Sequence, residues 1–380
     1  MISLALGFVL LVPTPQETPA TPPPSIWDRL KIEAEGRMRG EATVDAVDAS
    51  PGTNVGMEID DRYRGRMRFR LGAKYNLLES VNLGARFSTA SDASGGNATD
   101  ANNPHRDFGD GDGFSGANMV LDRYYLDWSC CPDVHVVFGK QPHAFAVPPI
   151  YGDFLWDSDI SPAGISATWK PKAEGDFSFD ARLAGYVATE VTADEDPKLW
   201  GAQGNVFLKL GSTKLQNSAA LYDWGDTQDF AVAGNQGNSA TTKDFRIFED
   251  FVTVAIPGGS FEEISAYLQF MHNLGESESG IVAGVQLGAS NWKRGNFNVL
   301  LLGYALDGDS VFSPVAQDDT PIAGTGLNDG DGDGMGGVIV GGTYYLRDNV
   351  ALKLWALTSN PEGAEDTPAR LRLDLDFKIK

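Results

Sequence analysis

The feature that most constrains this chain is a two-residue alternation of polar and apolar side chains. In the stretch DRYRGRMRFRL, residues 61–71, an arginine stands at every second position from Arg62 to Arg70, and apolar residues or glycine stand between them. Successive side chains of a β-strand point to opposite faces, so a strand here has one cationic face and one apolar face. A helix would scatter the same arginines around its axis. The alternation therefore predicts a strand whose two faces meet two different environments.

The same alternation returns along the whole chain. It is clear in LKIEAEGRMRG (30–40), SVNLGARFS (80–88), DFSFDARLAGYV (176–187) and ARLRLDLDFKIK (369–380). The pattern predicts sixteen strands of about ten residues each, which is the length that a tilted strand needs to cross a bilayer. Their starts are predicted near Leu30, Arg62, Ser80, Asn118, Val134, Ala163, Asp176, Trp200, Lys214, Phe245, Phe261, Gly280, Asn296, Gly336, Val350 and Ala369.

The connections between these strands alternate between tight and long. Tight turns such as SCCPDV and LRDN are separated by polar excursions at residues 40–61, 90–117, 141–162, 189–199, 223–244, 272–279, 305–335 and 358–368. A soluble sandwich has no reason to alternate in this way, whereas a membrane barrel has short periplasmic turns at one rim and long extracellular loops at the other. Backbone polar groups in hydrocarbon must all be paired, which a sheet without edges achieves. We therefore predict an all-β fold, a transmembrane antiparallel β-barrel of about sixteen strands, with the arginines facing a watery lumen.

The N-terminal region differs in composition from the rest of the chain. Residues 2–12 form an apolar run of the length expected for the core of a signal peptide, and residues 13–24 are rich in proline. We assign residues 1–24 to an export signal and a Pro-rich linker, and residues 25–380 to an outer-membrane β-barrel. The net charge of −22 argues against a nucleic-acid partner, because nucleic acid would repel such a chain.

Several blocks of the sequence resemble the bacterial outer-membrane family of putative porins. They are RYRGRMRFRLGAKYNLLESVNLGARFST, LDRYYLDWS, VVFGKQP, FLWDSDISPAGISATW and the closing ARLRLDLDF, and the likeness runs from about residue 32 to the C-terminus. The FGKQP region is also weakly similar to phosphate-selective porins. Members of the family usually end on an aromatic residue, whereas here Phe377 is followed by Lys378, Ile379 and Lys380.

The resemblance implies a water-filled outer-membrane channel for passive diffusion of small hydrophilic solutes and ions, with no bond chemistry. In many sixteen-stranded porins the third long loop folds inward and narrows the channel, which assigns that role to residues 141–162 and to their carboxylates, Asp153, Asp157 and Asp159. The loop would face an arginine-rich wall made by Arg37, Arg39, Arg64, Arg66, Arg68, Arg70, Arg86 and Arg123, continued by Arg370 and Arg372 of the last strand. The similarity also implies a homotrimer in contact with outer-membrane lipid and lipopolysaccharide.

Acids on a loop that faces a basic wall would set an electric field across the channel. Such a field favours polar, hydrated solutes over apolar ones. The alternative is that the arginines pair with Glu33, Glu35, Asp374 and Asp376 and hold the wall together, and both arrangements can coexist. The net charge of −22 favours cations at the mouth, while the arginine wall favours anions inside; we expect a cation preference.

Two further motifs keep two interpretations each. NDGDGDGMGG (328–337) places Asp329, Asp331 and Asp333 at the spacing of the opening half of an EF-hand calcium loop, but the twelfth position is Val340. It is either a weak Ca²⁺ site or a flexible acidic loop. No other cofactor is expected. The adjacent cysteines, Cys130 and Cys131, form either a strained vicinal disulfide or two unpaired thiols.

Two other functions compete with the channel. An outer-membrane barrel enzyme needs a nucleophile and a base, but the sequence contains no G-x-S-x-G, P-loop or HExxH motif, and its 4 histidines are scattered. A secreted calcium-binding, adhesin-like β protein is suggested by the Gly-Asp stretches, but it would carry an internal repeat that the sequence does not show. We therefore expect a channel and not an enzyme.

Overall fold

Sixteen long strands form one closed antiparallel sheet in the described part of the chain. The computed structural model describes residues 25–47, 58–93, 97–100, 105–108, 118–152, 154–173, 175–187, 198–225, 245–288, 290–312, 314–317, 319, 334–361 and 367–379. The strands are β1 (Leu30–Val44), β2 (Arg62–Leu78), β3 (Val81–Thr89), β4 (Met119–Cys131), β5 (Val134–Lys140), β6 (Ala163–Trp169), β7 (Phe177–Val187), β8 (Lys198–Leu210), β9 (Thr213–Gly225), β10 (Phe245–Pro257), β11 (Glu263–Asn273), β12 (Glu278–Leu287), β13 (Phe297–Leu306), β14 (Met335–Arg347), β15 (Val350–Thr358) and β16 (Ala369–Ile379). This confirms the predicted fold class.

The first and last strands are neighbours, which closes the sheet into a barrel. Met38 of β1 lies opposite Met67 of β2 on one side and opposite Leu375 of β16 on the other. Each of the sixteen strands therefore has a hydrogen-bonding partner on both sides. A barrel closed in this way leaves no strand edge unpaired, as a sheet in hydrocarbon requires.

The side chains alternate between the two faces of the barrel wall. On β13, Leu301 is 50% exposed on the outer face, while its neighbour Leu302 is 1% exposed on the inner face. β8 and β16 show the same alternation of buried and exposed residues. The exposed positions include many large apolar residues, among them Leu183, Leu354 and Leu373. The outer surface is thus suited to lipid. The inner positions are charged on β16, as the alternation predicts, whereas on β13 they are largely apolar.

The predicted starts of all sixteen strands lie within two residues of the observed starts. The predicted uniform length of about ten residues is wrong for the first hairpin, because β1 continues to Val44 and β2 has 17 residues. The predicted alternation of tight and long connections fails at one place, where only residues 274–277 join β11 to β12. Periodicity therefore located the strands better than it located their ends.

Short elements lie mainly among the long connections. The two short hairpins pair Ala46–Val47 with Glu58–Ile59, and Ser91–Ala93 with Asn97–Asp100. Two short strands extend the barrel wall: Arg106–Asp107 pairs with β2, and Asn360–Pro361 pairs with β14. In the part of the chain that the structure describes, the helical elements are α1 (Ile26–Arg29), before β1, and a 3-10 turn at Gly259–Phe261. None of the helices in the described ranges is both long and apolar enough to cross a bilayer.

A charge on the outer face should destabilise the barrel. Leu301 lies in the middle of β13, where a Leu301→Arg substitution would place a guanidinium in hydrocarbon at a cost of about 2 to 4 kcal/mol. The free energy of unfolding in lipid vesicles, measured by urea titration, should fall by this amount, while Leu301→Phe should change it little. Equal stability of the arginine variant and the wild type would contradict the lipid-facing assignment of β13.

Candidate functional site in the barrel lumen

Charged residues line the inner face of the barrel where it closes. On β2 they are Arg64, Arg66, Arg68 and Arg70, which alternate with outward-facing residues. The strand register places Arg37 of β1 between Arg68 of β2 and Asp376 of β16, and Arg39 between Arg66 and Asp374. We call the inner faces of β16, β1, β2, β3 and β4 the charged wall.

Acids from the neighbouring strand hold the arginines of β1. Nε of Arg37 lies 2.8 Å from an Asp376 oxygen, and Nε of Arg39 lies 2.8 Å from an Asp374 oxygen. The second guanidinium nitrogen of each arginine also donates to the same carboxylate, at 3.2 Å and 2.9 Å respectively. Two parallel bonds of this kind fix the orientation of both partners.

Glu41 of β1 joins arginines of the two neighbouring strands, β2 and β16. Its side chain is fully buried, accepts a hydrogen bond from Nε of Arg372 at 2.9 Å, and also pairs with Arg64 and Arg66. A buried carboxylate needs such partners, because its removal from water is costly. The charged wall is therefore a network of opposite charges and is less cationic than its arginines alone suggest.

The sequence left open that the arginines pair with acids of neighbouring strands and hold the wall together. Many of the observed contacts are of this kind. Glu35 lies 3.0 Å from Arg70, and Asp374 and Asp376 pair with the arginines of β1. Glu33 was also expected to pair with an arginine of the wall, but its contact at 3.2 Å is with Lys74. These pairs coexist with a contact between the wall and residues 141–162, described below.

A β-bulge places two successive side chains of β4 in the lumen. The register shifts at Arg86 of β3, so that Arg86 faces Arg123 and the next residue, Phe87, faces Leu121. The intervening Asp122 is completely buried, and one of its oxygens lies 3.0 Å from Nε of Arg86. Bulges commonly redirect side chains in this way.

The second long connection returns to the charged wall. Arg106–Asp107 pairs with β2 beyond the end of β3, and Asp107 lies 2.9 Å from Nε of Arg66. The adjacent His105 is buried. Burial, together with the positive charges of Arg39 and Arg68, lowers the pKa of His105 well below its usual value, so the imidazole is neutral at pH 7.

Residues 141–162 connect β5 to β6, and the two ends of this segment lie close together where it leaves the barrel sheet. Gly139 and Gly164 face each other there with φ values of 113° and 154°, and a Cβ on either would collide with the backbone of a neighbouring strand. The buried side chain of Gln141 donates to the carbonyl of Gly164 at 3.2 Å and accepts from the Ser166 hydroxyl at 2.6 Å. The FGKQP stretch thus directs the segment as it leaves β5.

One side of this segment is apolar and is packed inside the barrel. Trp156 is 1% exposed, and the ring centroids of Phe145 and Tyr222 are 4.8 Å apart. A Cβ at Gly201 of β8 would lie 2.2 Å from the Phe145 ring, so glycine is required for this approach. The buried apolar residues of the segment are Phe145, Ile150, Phe154, Leu155, Trp156 and Ile160. Together they anchor the segment against the inner faces of β7 to β15.

The other side of the segment reaches the charged wall. Oδ1 of Asp159 lies 2.9 Å from a nitrogen of Arg68 and 2.9 Å from a nitrogen of Arg70, and Nε of Arg123 donates to the Ser161 hydroxyl at 2.9 Å. Burial acts to raise the pKa of Asp159, but the positive charges of Arg68 and Arg70 outweigh it and lower the pKa to about 2. Asp159 is therefore ionised at neutral pH. Residues 141–162 span the lumen from its apolar side to its charged side.

Asp157 has a different role from Asp159. Its Oδ1 accepts a hydrogen bond from the backbone N–H of Asp159 at 2.7 Å, which is typical of an aspartate that shapes a turn. Its own N–H donates to the carbonyl of Val315 at 2.8 Å. Asp157 thus links residues 141–162 to a second segment within the barrel.

This second segment comprises the described residues of 307–319, between β13 and β14. The ring centroids of Phe312 and Trp224 are 4.6 Å apart, and an Asp319 oxygen lies 2.5 Å from a nitrogen of Arg372. Burial acts to raise the pKa of Asp319, but the positive charge of Arg372 outweighs it and lowers the pKa. Two segments from opposite halves of the sequence therefore occupy the lumen.

The structure brings most of the predicted site residues to one surface. The arginines of the prediction all lie on the charged wall, and Asp159 contacts it. Asp153 lies outside the described residues, as do Asp329, Asp331 and Asp333 of the candidate calcium loop. Among the described residues no group of three or more His, Cys, Asp or Glu side chains could hold a metal ion. Cys130 and Cys131 are free thiols with their sulfur atoms 3.8 Å apart.

Sequence reasoning missed four acids that pair with arginines of the charged wall: Glu41, Asp107, Asp122 and Asp319. Glu41 continues the alternation of Arg37 and Arg39, and extending the first strand would have found it. Asp122 is brought inside by the bulge, which alternation cannot predict. Asp107 and Asp319 come from long connections without periodicity, so no sequence signal marked them.

Comparison with known proteins assigns the family. Residues 16–250 match a family model described as putative porin. The chain belongs to the putative porin family. Family and fold together identify it as a channel protein of the bacterial outer membrane. A search of curated proteins finds no match.

Solved structures of porins are similar to this porin in fold. OprB of Pseudomonas putida has a TM-score of 0.60 at 8% identity, with 93% of this chain and 95% of that chain covered. OmpF of Salmonella typhi, in complex with daunomycin, has a TM-score of 0.55 at 10% identity, with coverage of 92% and 97%. A mutant of the Rh. blastica porin has a TM-score of 0.50 at 12% identity, with coverage of 92% and 100%. Identities this low show the shared barrel fold alone.

Removing the apolar anchor should loosen residues 141–162 of the porin. Trp156→Ala would leave a cavity between the segment and the wall, which typically costs about 3 to 5 kcal/mol. Amide hydrogen exchange over residues 154–162, followed by mass spectrometry, should become faster. Trp200→Ala is the matched control, because Trp200 is 64% exposed on the outer face. Unchanged protection in the Trp156 variant would contradict the anchoring.

The ion pairs of Asp159 should make the stability of the porin depend on acid pH. The pKa of Asp159 falls from 3.8 in the unfolded chain to about 2 in the barrel, so its contribution is fully present above about pH 4 and is lost as the pH falls through 2. At pH 7 it should amount to roughly 2 kcal/mol. Urea titrations of the wild type and of Asp159→Asn should therefore differ at pH 7 and converge near pH 2. A constant difference across this range would show that the carboxylate charge is not responsible.

Proposed function

We propose that this porin is a passive diffusion channel for small hydrophilic solutes and ions, narrowed where residues 141–162 approach the arginine-rich charged wall. The observation that carries the proposal is the contact of Asp159 with Arg68 and Arg70, at 2.9 Å each. Because the same segment is anchored through Trp156 on the opposite side, it lies across the lumen and restricts the space for a solute.

The chemistry of the narrowed region supports selection for polar solutes. A solute that passes the charged wall meets guanidinium and carboxylate groups within a few residues of each other, including Arg123 and Asp159. Ions and dipoles recover part of their hydration energy from such groups, whereas apolar solutes do not. The second segment supports further narrowing, since Asp319 contacts Arg372 inside the same lumen.

The balance of charges supports a modest preference for cations. The arginines of the charged wall are largely paired with acids, so the wall gives local dipoles more than a net positive potential. The net charge of the chain is −22, which would concentrate cations near the channel. The expected order is therefore cations over anions.

The proposed setting is outer-membrane lipid and lipopolysaccharide, with three identical barrels side by side. Contact with lipid is supported by the apolar outer face, to which Leu183, Leu354 and Leu373 belong. Trimerisation is proposed by similarity to porins of this size. Crosslinking of the detergent-purified porin should capture a trimer, and a monomer alone would reject this part of the proposal.

Planar-bilayer recording of the purified porin tests the channel and its narrowed region together. We expect stepwise conductance and a reversal potential in a salt gradient that indicates cation preference. Asp159→Asn should lower the cation-to-anion permeability ratio roughly twofold, the effect of one partly screened charge close to the path.

The matched control is Asp133→Asn, which makes the same charge change in the turn between β4 and β5. It should alter the ratio less than Asp159→Asn. If stepwise conductance is absent, the channel function is rejected. If conductance is present and the Asp159 variant has an unchanged ratio, only the assignment of the narrowed region is rejected.

A further inference from the structure

A second surface of the lumen has a chemistry unlike that of the charged wall. A cavity of about 580 Å³ lies at the tight-turn end of β7 to β12, and Pro149 and Ile150 of the inward segment form part of its lining. Small-molecule sites in proteins commonly have volumes of about 300 to 1,000 Å³. The cavity is thus large enough to hold a small solute.

Many of the inward-facing side chains of this cavity carry hydroxyl or carboxamide groups. The strand register places Gln216 opposite Thr253, and Ser265 opposite Gln286. Phe207 of β8 lies opposite both Gln216 and Ser178, which adds an aromatic ring to the lining. Hydroxyl and amide groups beside an aromatic ring match a solute that carries many hydroxyl groups on a carbon skeleton.

The charged residues of the cavity lie toward the strand ends. Lys214 and Glu263 are 2.9 Å apart and pair with each other, and Lys209 and Asp176 lie beside the turns. An ion that enters the cavity would therefore lose hydration energy and gain little from the groups that line it. A neutral solute loses less hydration energy on entry and gains directed hydrogen bonds.

Among the described residues of the lining, one buried polar atom lacks a hydrogen-bond partner. Oγ1 of Thr253 is buried and makes no hydrogen bond, although Thr253 itself is 6% exposed. Gln286, by contrast, is held by the carbonyl of Gly288 at 2.9 Å and by the Ser290 hydroxyl at 3.1 Å. Buried hydroxyl groups are rarely left unpaired, so a rotation of the Thr253 side chain that brings Oγ1 to the cavity surface would give this hydroxyl a solute as its partner.

We infer that this cavity binds small, neutral, polyhydroxylated solutes, such as sugar alcohols and monosaccharides, on their way through the barrel. The inference rests on the proposed channel function and specifies its solute class. The charged wall and this cavity then serve two classes of solute, ions along one side and uncharged polyols on the other.

Saturation-transfer NMR on the detergent-purified barrel tests binding directly, with D-sorbitol as the probe. D-gluconate is the charged comparison, because it has the same carbon chain with a carboxylate at one end. Sorbitol should show saturation transfer and gluconate should show much less. The absence of a sorbitol signal, or an equal signal from gluconate, would overturn the inference.

Substitution then locates the site. Thr253→Val should weaken sorbitol binding roughly threefold to tenfold, the usual effect of one lost hydrogen bond, and Thr253→Ser should restore it. Thr343→Val is the matched control, since Thr343 faces inward on β14 outside the cavity lining. An equal loss in both valine variants would place binding elsewhere and overturn the assignment.

Current recording separates this inference from the channel function. In a conducting barrel, sorbitol should reduce the potassium chloride current in a saturable way, and the half-blocking concentration should rise in the Thr253→Val variant. Conductance without a saturable block would overturn the neutral-solute site and leave the channel intact. Sorbitol binding by NMR in a barrel that never conducts would support the site and reject the channel.

Discussion

The pairing of backbone hydrogen bonds around a closed sheet is the constraint on which the rest of this structure depends. Hydrocarbon offers the backbone no partners, so β16 must meet β1 in register. At that junction the inner side chains are Arg37 with Asp376 and Arg39 with Asp374. A slip by one residue would turn these charges toward lipid, which makes every other register at the junction expensive.

The closed wall creates an interior whose two halves differ in chemistry. The charged wall surrounds the junction, whereas the inner faces of β7 to β15 are largely apolar beside residues 141–162 and carry hydroxyl and carboxamide groups at the tight-turn end. The segment matches this division, because Trp156 packs on one half and Asp159 binds the other. The division explains how one loop can be held on both sides of the barrel by two different kinds of contact.

The sequence revealed the strands well because side chains that alternate between lipid on one side and water on the other must alternate between apolar and polar types. The arginines and Asp159 that it singled out lie together in the structure, while their role in the channel stays a prediction. It failed where a contact depends on irregular backbone: the bulge that turns Asp122 inward, and the return of Asp107 to the wall. It also gave no warning that Phe312 and Asp319 enter the lumen, since a long connection carries no periodicity that shows where it packs.

The contact between the two inward segments has a consequence for biogenesis. Residues 141–162 precede their partners in the chain: Trp156 packs on Trp224, the N–H of Asp157 donates to the carbonyl of Val315, and Asp319 pairs with Arg372, which comes later still. The bore therefore acquires its final shape only after the C-terminal third of the polypeptide has arrived. Until then the lumen of the assembling barrel is incomplete, so the permeability of the channel is fixed only at the end of assembly.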